Sequence, residues 1–344
     1  MLAPRPGRRA KWLALRAAYG GGGVGLLGIL SWGVVLTEAK LARRTIGEPT
    51  EHAPDPAGSY GRPHRGRRPL RLAVLGDSSA AGLGVEDSAQ TPGALLAGLL
   101  ARELRRRVEL DLQAVTGARS KDLDIQVQRA LRRPLDVAVI LIGANDVTHR
   151  VPPEVATHQL GRAISTLRGM GVEVVVGTCP DLGSVKPLLQ PLRTLARIRS
   201  RQMAQAQTVV AVEQGAIAVS LGNLLGSEFA TDPHMWSSDR FHPSPAGYAR
   251  VVDALLPSVL EVLGVRTATE VVNDSVQDLD VAAAVAASTP GLEVETVEGG
   301  EGAAAGGPGR LARLRRRLPL VSGGAPAGPT SPEDLASRAD DVES

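Results

Sequence analysis

The chain has 344 residues, with 39 Lys and Arg against 36 Asp and Glu and a formal net charge of +3. That length accommodates one medium domain with extensions, and so small a net charge implies no nucleic-acid or other polyanion partner. The single cysteine, Cys179, excludes an intrachain disulfide, and no CxxC, HExxH or Cys/His cluster proposes a metal site. The charge is unevenly spread, however. Residues before Leu72 are strongly basic, and those after Val265 are net acidic apart from one basic run. Such asymmetry marks flanking segments with roles of their own, or solvated tails.

Residues 17–37 contain no charged side chain. At ~1.5 Å per residue a helix there would span roughly 30 Å, the thickness of a bilayer core. Arg5, Arg8, Arg9, Lys11 and Arg16 precede it, and Lys40, Arg43 and Arg44 follow. The stretch is longer than a signal-peptide core and lacks a clean A-x-A site, so residues 1–44 read as a retained membrane anchor in preference to a cleaved signal. The basic excess upstream favours a body outside the cytoplasmic membrane, tethered or secreted. Residues 45–69, rich in Pro, Gly, Arg and His, read as a linker.

From residue 70 to 265 the pattern alternates. Near-continuous apolar runs at 71–76, 108–115, 136–143, 172–178 and 216–220 suit strands buried on both faces. Helical periods at 92–105, 121–131, 154–168, 195–214 and 244–263 lie between and after them. Strands alternating with helices predict an α/β fold, a three-layer α/β/α sandwich on about five parallel strands. Residues 266–344 repeat Gly, Ala, Pro, Ser and acids with little periodicity and read as a disordered tail. Within it, the basic run 310–320 could touch an anionic surface.

In open parallel sheets, chemistry sits beyond the C-terminal strand ends. The first strand ends in Gly76-Asp77-Ser78, a hydroxyl on a tight turn whose N–H groups face the same cleft. The second ends near Gly117, whose N–H can approach a ligand closely. The third ends in Gly143-Ala144-Asn145-Asp146, and an Asn amide is a donor suited to an oxyanion. After the fifth comes Asp239-Arg240-Phe241-His242. That spacing lets the carboxylate orient the imidazole while the other ring nitrogen accepts a hydroxyl proton. Each feature alone is commonly structural: a helix cap, a turn glycine, an Asx turn, a loop pair. Together they supply a nucleophile, oxyanion donors, a base and an orienter on one edge, a complete acyl-transfer set.

These blocks resemble those of the SGNH/GDSL hydrolase superfamily, in the right order, over residues 70–265. The resemblance implies a flavodoxin-like sheet and a Ser78, His242, Asp239 triad. It implies an oxyanion hole from the Ser78 and Gly117 N–H groups with the Asn145 side chain, and supporting roles for Asp77 and Asp146. It implies a serine esterase or lipase that needs no cofactor. The expected substrate is a lipid or simple carboxylic ester. An O-acetyl group on a cell-envelope carbohydrate is the alternative, and a noncatalytic binding module on the same fold is the rival class. Scarce aromatics, at 2% of residues, disfavour a sugar-stacking platform. Around the site, His149 and His158 read as surface residues and Cys179 as an inert buried thiol. His234 and Trp236 either shape the acyl pocket or pack the loop, and residues 180–193 form a candidate pocket lip.

Overall fold

The computed structural model describes residues 52–185, 188–222, 228–265, 269–289, 292–296 and 311–317. The proposed anchor at 17–37 lies outside them. Among the described residues no helix is long and apolar enough to cross a membrane.

Five strands run parallel at the centre: β2 (Leu70–Gly76), β3 (Val108–Leu112), β4 (Val137–Leu141), β5 (Glu173–Gly177) and β6 (Ile217–Val219). Four lie within runs read from the sequence as strands, and β2 begins one residue before its run at 71–76. Their order is β3-β2-β4-β5-β6. The chain therefore leaves β2 to one side, returns, and builds outward on the other. The switch point falls at the C-terminal ends of β2 and β4, where such sheets open a crevice for ligands.

Helices cover both faces. On one, α2 (Pro92–Glu103) and α8 (Pro245–Val262) pack Leu96, Leu100, Val252, Leu255 and Val259 against Leu72, Val74 and Val139. On the other, α3 (Leu123–Ala130), α5 (Pro153–Gly169) and α6 (Leu192–Glu213) cover Leu75, Ile140, Val174 and Val176. Alternate residues of β4, Val139 and Ile140, point into different layers, as the period of two demands. Short helices α1 (Ser78–Ala81), α4 (Ala144–Thr148) and α7 (Glu228–Thr231) sit at the strand ends and in the last loop.

The sheet does not stop at five strands. Among the described residues it has nine, in the order β1-β3-β2-β4-β5-β6-β8-β9-β7, and the additions are antiparallel. β1 (Gly58–Tyr60) comes from the segment read as a linker; Tyr60 is buried and its hydroxyl donates to the Pro56 carbonyl at 2.7 Å. More is changed at the other end. Residues that the sequence reading leaves in a disordered tail form β7 (Thr269–Asp278), α9 (Leu279–Ser288), β8 (Leu292–Thr296) and β9 (Leu311–Arg317). Residues 311–317 of the basic run are thus a strand: Ala312 and Leu314 alternate into the core with Leu292 and Val294. Ser220 fastens this extension to β6. Its N–H donates to the Leu292 carbonyl at 3.0 Å and its hydroxyl to the Ala286 carbonyl at 2.6 Å.

Leu279, Ala282, Ala286, Leu292, Val294, Ala312 and Leu314 belong to the same apolar cluster as Ala211 and Ala218. A chain ending at Val265 would expose that face and the bare edge of β6, at ~25 cal/mol per Å² of apolar surface. Scanning calorimetry is expected to place its unfolding midpoint more than about 10 °C below that of the full chain, at ~2–4 °C per kcal/mol.

Candidate active site

β2 ends in a turn that only glycine can make. Gly76 has φ of 136°, and a Cβ there would lie 1.8 Å from the Leu141 carbonyl oxygen of β4. Both its backbone groups are held by one buried side chain: Gln126 accepts from the Gly76 N–H at 2.7 Å and donates to its carbonyl at 2.9 Å. The next N–H, of Asp77, donates to the Leu141 carbonyl at 3.0 Å. Asp77 then caps α1, accepting from the Ser79 N–H at 2.9 Å, as N-cap carboxylates do. Ser78 is thereby fixed at the first helical position, its hydroxyl aimed across the edge.

The segment between α7 and α8 brings the other two groups. His242 Nε2 lies 2.9 Å from Ser78 Oγ, and His242 Nδ1 lies 2.6 Å from Asp239 Oδ2. Asp239 Oδ1 also accepts from Ser237 Oγ at 2.7 Å, the Phe241 N–H at 2.8 Å and the His242 N–H at 2.9 Å. Partial burial would raise this carboxyl's pKa. The bonds from His242 and Ser237 and the His242 charge override that and hold it well below the usual range. Asp239 is therefore ionised wherever the imidazole works, and the imidazole is nearly enclosed at 5% exposure. A hydroxyl bonded to an imidazole that a fixed carboxylate orients is equipped for proton transfer and nucleophilic attack.

The loop is clamped from outside. Gly84, with φ of 103°, faces it so closely that a Cβ would lie 3.0 Å from His242 Cβ. The Tyr248 hydroxyl, on α8, donates to the Leu83 carbonyl at 2.6 Å. Sequence reasoning missed both, and also Gln126. It missed Gln207 too, which accepts from the Cys179 N–H at 2.7 Å and donates to the Ile142 carbonyl at 2.9 Å. The signal was present: Gln126 shares a helix face with Leu123, Val127 and Ala130, and Gln207 shares one with Met203, Ala204 and Ala211. A glutamine at a core position needs a reason.

The remaining residues singled out in the sequence divide. The Asn145 amide donates to the Ala118 carbonyl at 3.1 Å, joining the end of β4 to the Gly117 turn. Gly117 is exposed with φ of 82°. Asp146, buried at 1% exposure, accepts from both the N–H and the hydroxyl of Ser120, at 3.0 and 2.8 Å, and so fixes that turn from below. His149 does not line the site. It is exposed and its ring nitrogen lies 2.8 Å from the Asn145 carbonyl. His158 and His234 are not buried either. Cys179 is fully buried, and burial followed by nearby Asp77 and Asp146 pushes its thiol well up, away from reactivity.

A cavity of about 50 Å³ adjoins the relay, bounded by Asp77 and Ser79 on one side and Phe241 and Pro243 on the other. Leu141, Leu182, Val185, Trp236 and Val251 make its walls apolar. Trp236 thus shapes the pocket. Its indole N–H donates to the Phe229 carbonyl at 2.7 Å and its ring meets Phe229 edge-on at 5.2 Å. Leu182 and Val185 come from the segment read as a pocket lip.

A mostly parallel sheet between helical layers, with hydroxyl, imidazole and carboxylate bonded in series at its C-terminal edge, defines an α/β enzyme of the hydrolase class. Comparison with known proteins makes this specific. A model of the GDSL-like lipase/acylhydrolase family matches residues 74–250. A GDSL-like esterase of Mycobacterium tuberculosis is 36% identical over 269 residues, spanning 75% of this chain and 85% of its own. The chain belongs to the GDSL-like lipase/acylhydrolase family and is an ester hydrolase. Solved structures with partial likeness include an alpha/beta hydrolase from the Lake Arreo metagenome. It is 22% identical, with a TM-score of 0.46 over 57% of this chain and 95% of that one. Another is an acetyl xylan esterase variant from Geobacillus stearothermophilus, 18% identical with a TM-score of 0.44 over 58% and 96%.

Burial raises the Asp77 carboxyl to about 6, against the bond from Ser79 and the His242 charge. Folded Asp77 thus keeps its proton to about pH 6, whereas an unfolded aspartate loses it near pH 4. Stability from this group is fullest below pH ~4 and falls as pH rises through about 6. Asp77→Asn retains a capping oxygen and removes the titration. In urea unfolding it is expected to gain about 3 kcal/mol relative to wild type between pH 4 and 7. Gln126→Leu strands the buried Gly76 N–H, and the same measurement is expected to show a loss of about 2 kcal/mol.

Proposed function

We propose that the chain hydrolyses carboxylic esters of short acyl groups through Ser78, His242 and Asp239. The observation that carries this is the unbroken relay from Ser78 Oγ to His242 at 2.9 Å and from His242 to Asp239 at 2.6 Å. Ser78 Oγ attacks the ester carbonyl carbon while His242 Nε2 takes its proton. The carbonyl π pair moves to oxygen, and the backbone N–H groups of Ser78 and Gly117 with the Asn145 amide serve as its donors. Collapse of this intermediate breaks the ester C–O bond. His242 returns the proton to the departing alcohol, leaving Ser78 acylated. Water then attacks the acyl-enzyme by the same relay, releasing acid and free Ser78. Asp239 stays ionised and holds the ring tautomer throughout.

The small apolar cavity bounded by Asp77 and Ser79, on either side of Ser78, favours an acetyl-sized acyl group over a long chain. A noncatalytic binding module has no use for a carboxylate held ionised by four donors behind a buried imidazole.

A water-soluble nitrophenyl acetate and a fluorophosphonate probe test the reading. Wild type is expected to turn over the first and label covalently with the second. Ser78→Ala is expected to lose about 10⁴-fold or more in kcat and all labelling. Asn145→Ala should cost about 10²–10³ in kcat with little change in KM, as for the loss of one oxyanion donor. Labelling that survives Ser78→Ala would overturn the assignment.

A further inference from the structure

Large apolar side chains left in solvent are not scattered over this molecule. Nine are exposed among the described residues, and six of them, Val115, Ile125, Val155, Leu189, Leu195 and Ile198, lie toward one end. Val115 follows β3. Ile125 and Val155 sit in the first turns of α3 and α5. Leu189, Leu195 and Ile198 belong to the approach to α6 and its first two turns. Every one of these positions is on the side where the parallel strands end, which is the side of the Ser78 relay. Met170, 66% exposed, is at the opposite edge, and Val281 and Val285 are on α9. Single exposed apolar residues are ordinary; their concentration at one end of the sheet marks a contact surface.

The start of α6 shows what that surface suits. Arg193, Arg197, Arg199 and Arg201 fall in this stretch, and no acidic residue occurs between Leu182 and Val212. The buried Asp181 carboxylate engages Arg197 and Arg201 at 3.3 and 3.2 Å. Leu195, Ile198 and Arg199 are spaced i, i+3 and i+4, so they share one side of the helix. Arginine beside exposed leucine and isoleucine is the composition of a helix lying at an anionic lipid interface. The inner side of the same turns is seated on the site: Leu188 and Ala196 pack against Leu182, Val185, Phe229 and Trp236.

Chain direction supplies an independent argument. β1 pairs antiparallel with β3, so it runs away from the edge at which β3 ends. The residues before Gly58 therefore approach the domain from the edge that carries the apolar rim. Upstream lies the uncharged stretch 17–37 with its basic flanks. Residues 38–57 reach at most about 70 Å when extended, so an anchor at 17–37 would tether the domain by the edge that carries this rim.

We propose that the rim formed by the start of α6 docks on an anionic phospholipid surface and turns the Ser78 site toward it. The substrate class follows from the ester-hydrolase reading above: short-acyl esters whose alcohol resides in the lipid phase. Docking itself does not depend on that reading.

The full chain reconstituted in phosphatidylglycerol-containing vesicles tests this. Cys179 is buried, so an environment-sensitive fluorophore can be placed on Leu195→Cys or, as a control, on Met170→Cys. The label at 195 is expected to shift to the blue in these vesicles, and the label at 170 is not. Equal behaviour at both positions, or no shift at 195, overturns the docking. Purely phosphatidylcholine vesicles should give a weaker shift at 195; an equal shift overturns the anionic assignment. The Leu195→Ser/Ile198→Ser variant is expected to lose about tenfold or more in hydrolysis of a vesicle-embedded acetyl ester of a long-chain alcohol. Its rate on water-soluble nitrophenyl acetate should match wild type. Failure of the soluble ester in wild type would indict the ester-hydrolase reading instead, while the fluorophore result would stand.

Discussion

The architecture of this protein turns on one steric constraint, the contact of β2 with β4 at Gly76. The backbone must leave the sheet there with a positive φ, against a carbonyl that leaves no room for a Cβ. Gln126 grips the same residue from the α3 side, and Asp77 caps the helix that follows. Position, direction and first turn of α1 are therefore settled within three residues. The hydroxyl of Ser78 is aimed by backbone and needs little from its own rotamer freedom. Preorganisation of this kind holds the hydroxyl against the imidazole without a further entropic cost.

The loop holding His242 is positioned from both sides of the sheet edge. Gly84 presses on it from the turn after α1, and Tyr248 ties that turn back to α8. Residues 78 and 242 are far apart in sequence, yet the elements that carry them share this short seam. The cavity lies along the same seam, so its walls at Trp236, Phe241 and Pro243 are extensions of the loop that carries the imidazole. The cavity wall and the imidazole therefore shift together if the loop moves.

The central strands and helices were legible from hydrophobic period alone, because a parallel sheet buried on both faces writes long apolar runs. The segments 71–76 and 136–143 match β2 and β4 to within two residues at either end. The additions to the sheet were harder to read. β8 and β9 are short and half charged, with Glu293 set opposite Arg315 in register; Leu292, Val294, Ala312 and Leu314 face one core layer, while Glu293 is buried against Ser258 on the other side. In a Gly- and Pro-rich background that alternation resembles a solvated tail, and only the edge of β6 gives it something to pair with. At the site, Ser78, Asp239 and His242 could be assembled from strand-end logic, and the structure brings them into bonding distance. Gln126, Gln207 and Gly84 could not be found that way. Their work is done by single long-range contacts, which leave no local pattern beyond a polar residue on an apolar helix face.

The antiparallel extension has a consequence for synthesis. Every strand that frames Ser78 and His242 has left the ribosome once the chain reaches Val265. The segments that cap β6 follow over roughly 50 more residues, which at about 5–20 residues per second takes several seconds. During that interval the nascent domain presents an open hydrogen-bonding edge beside its completed centre.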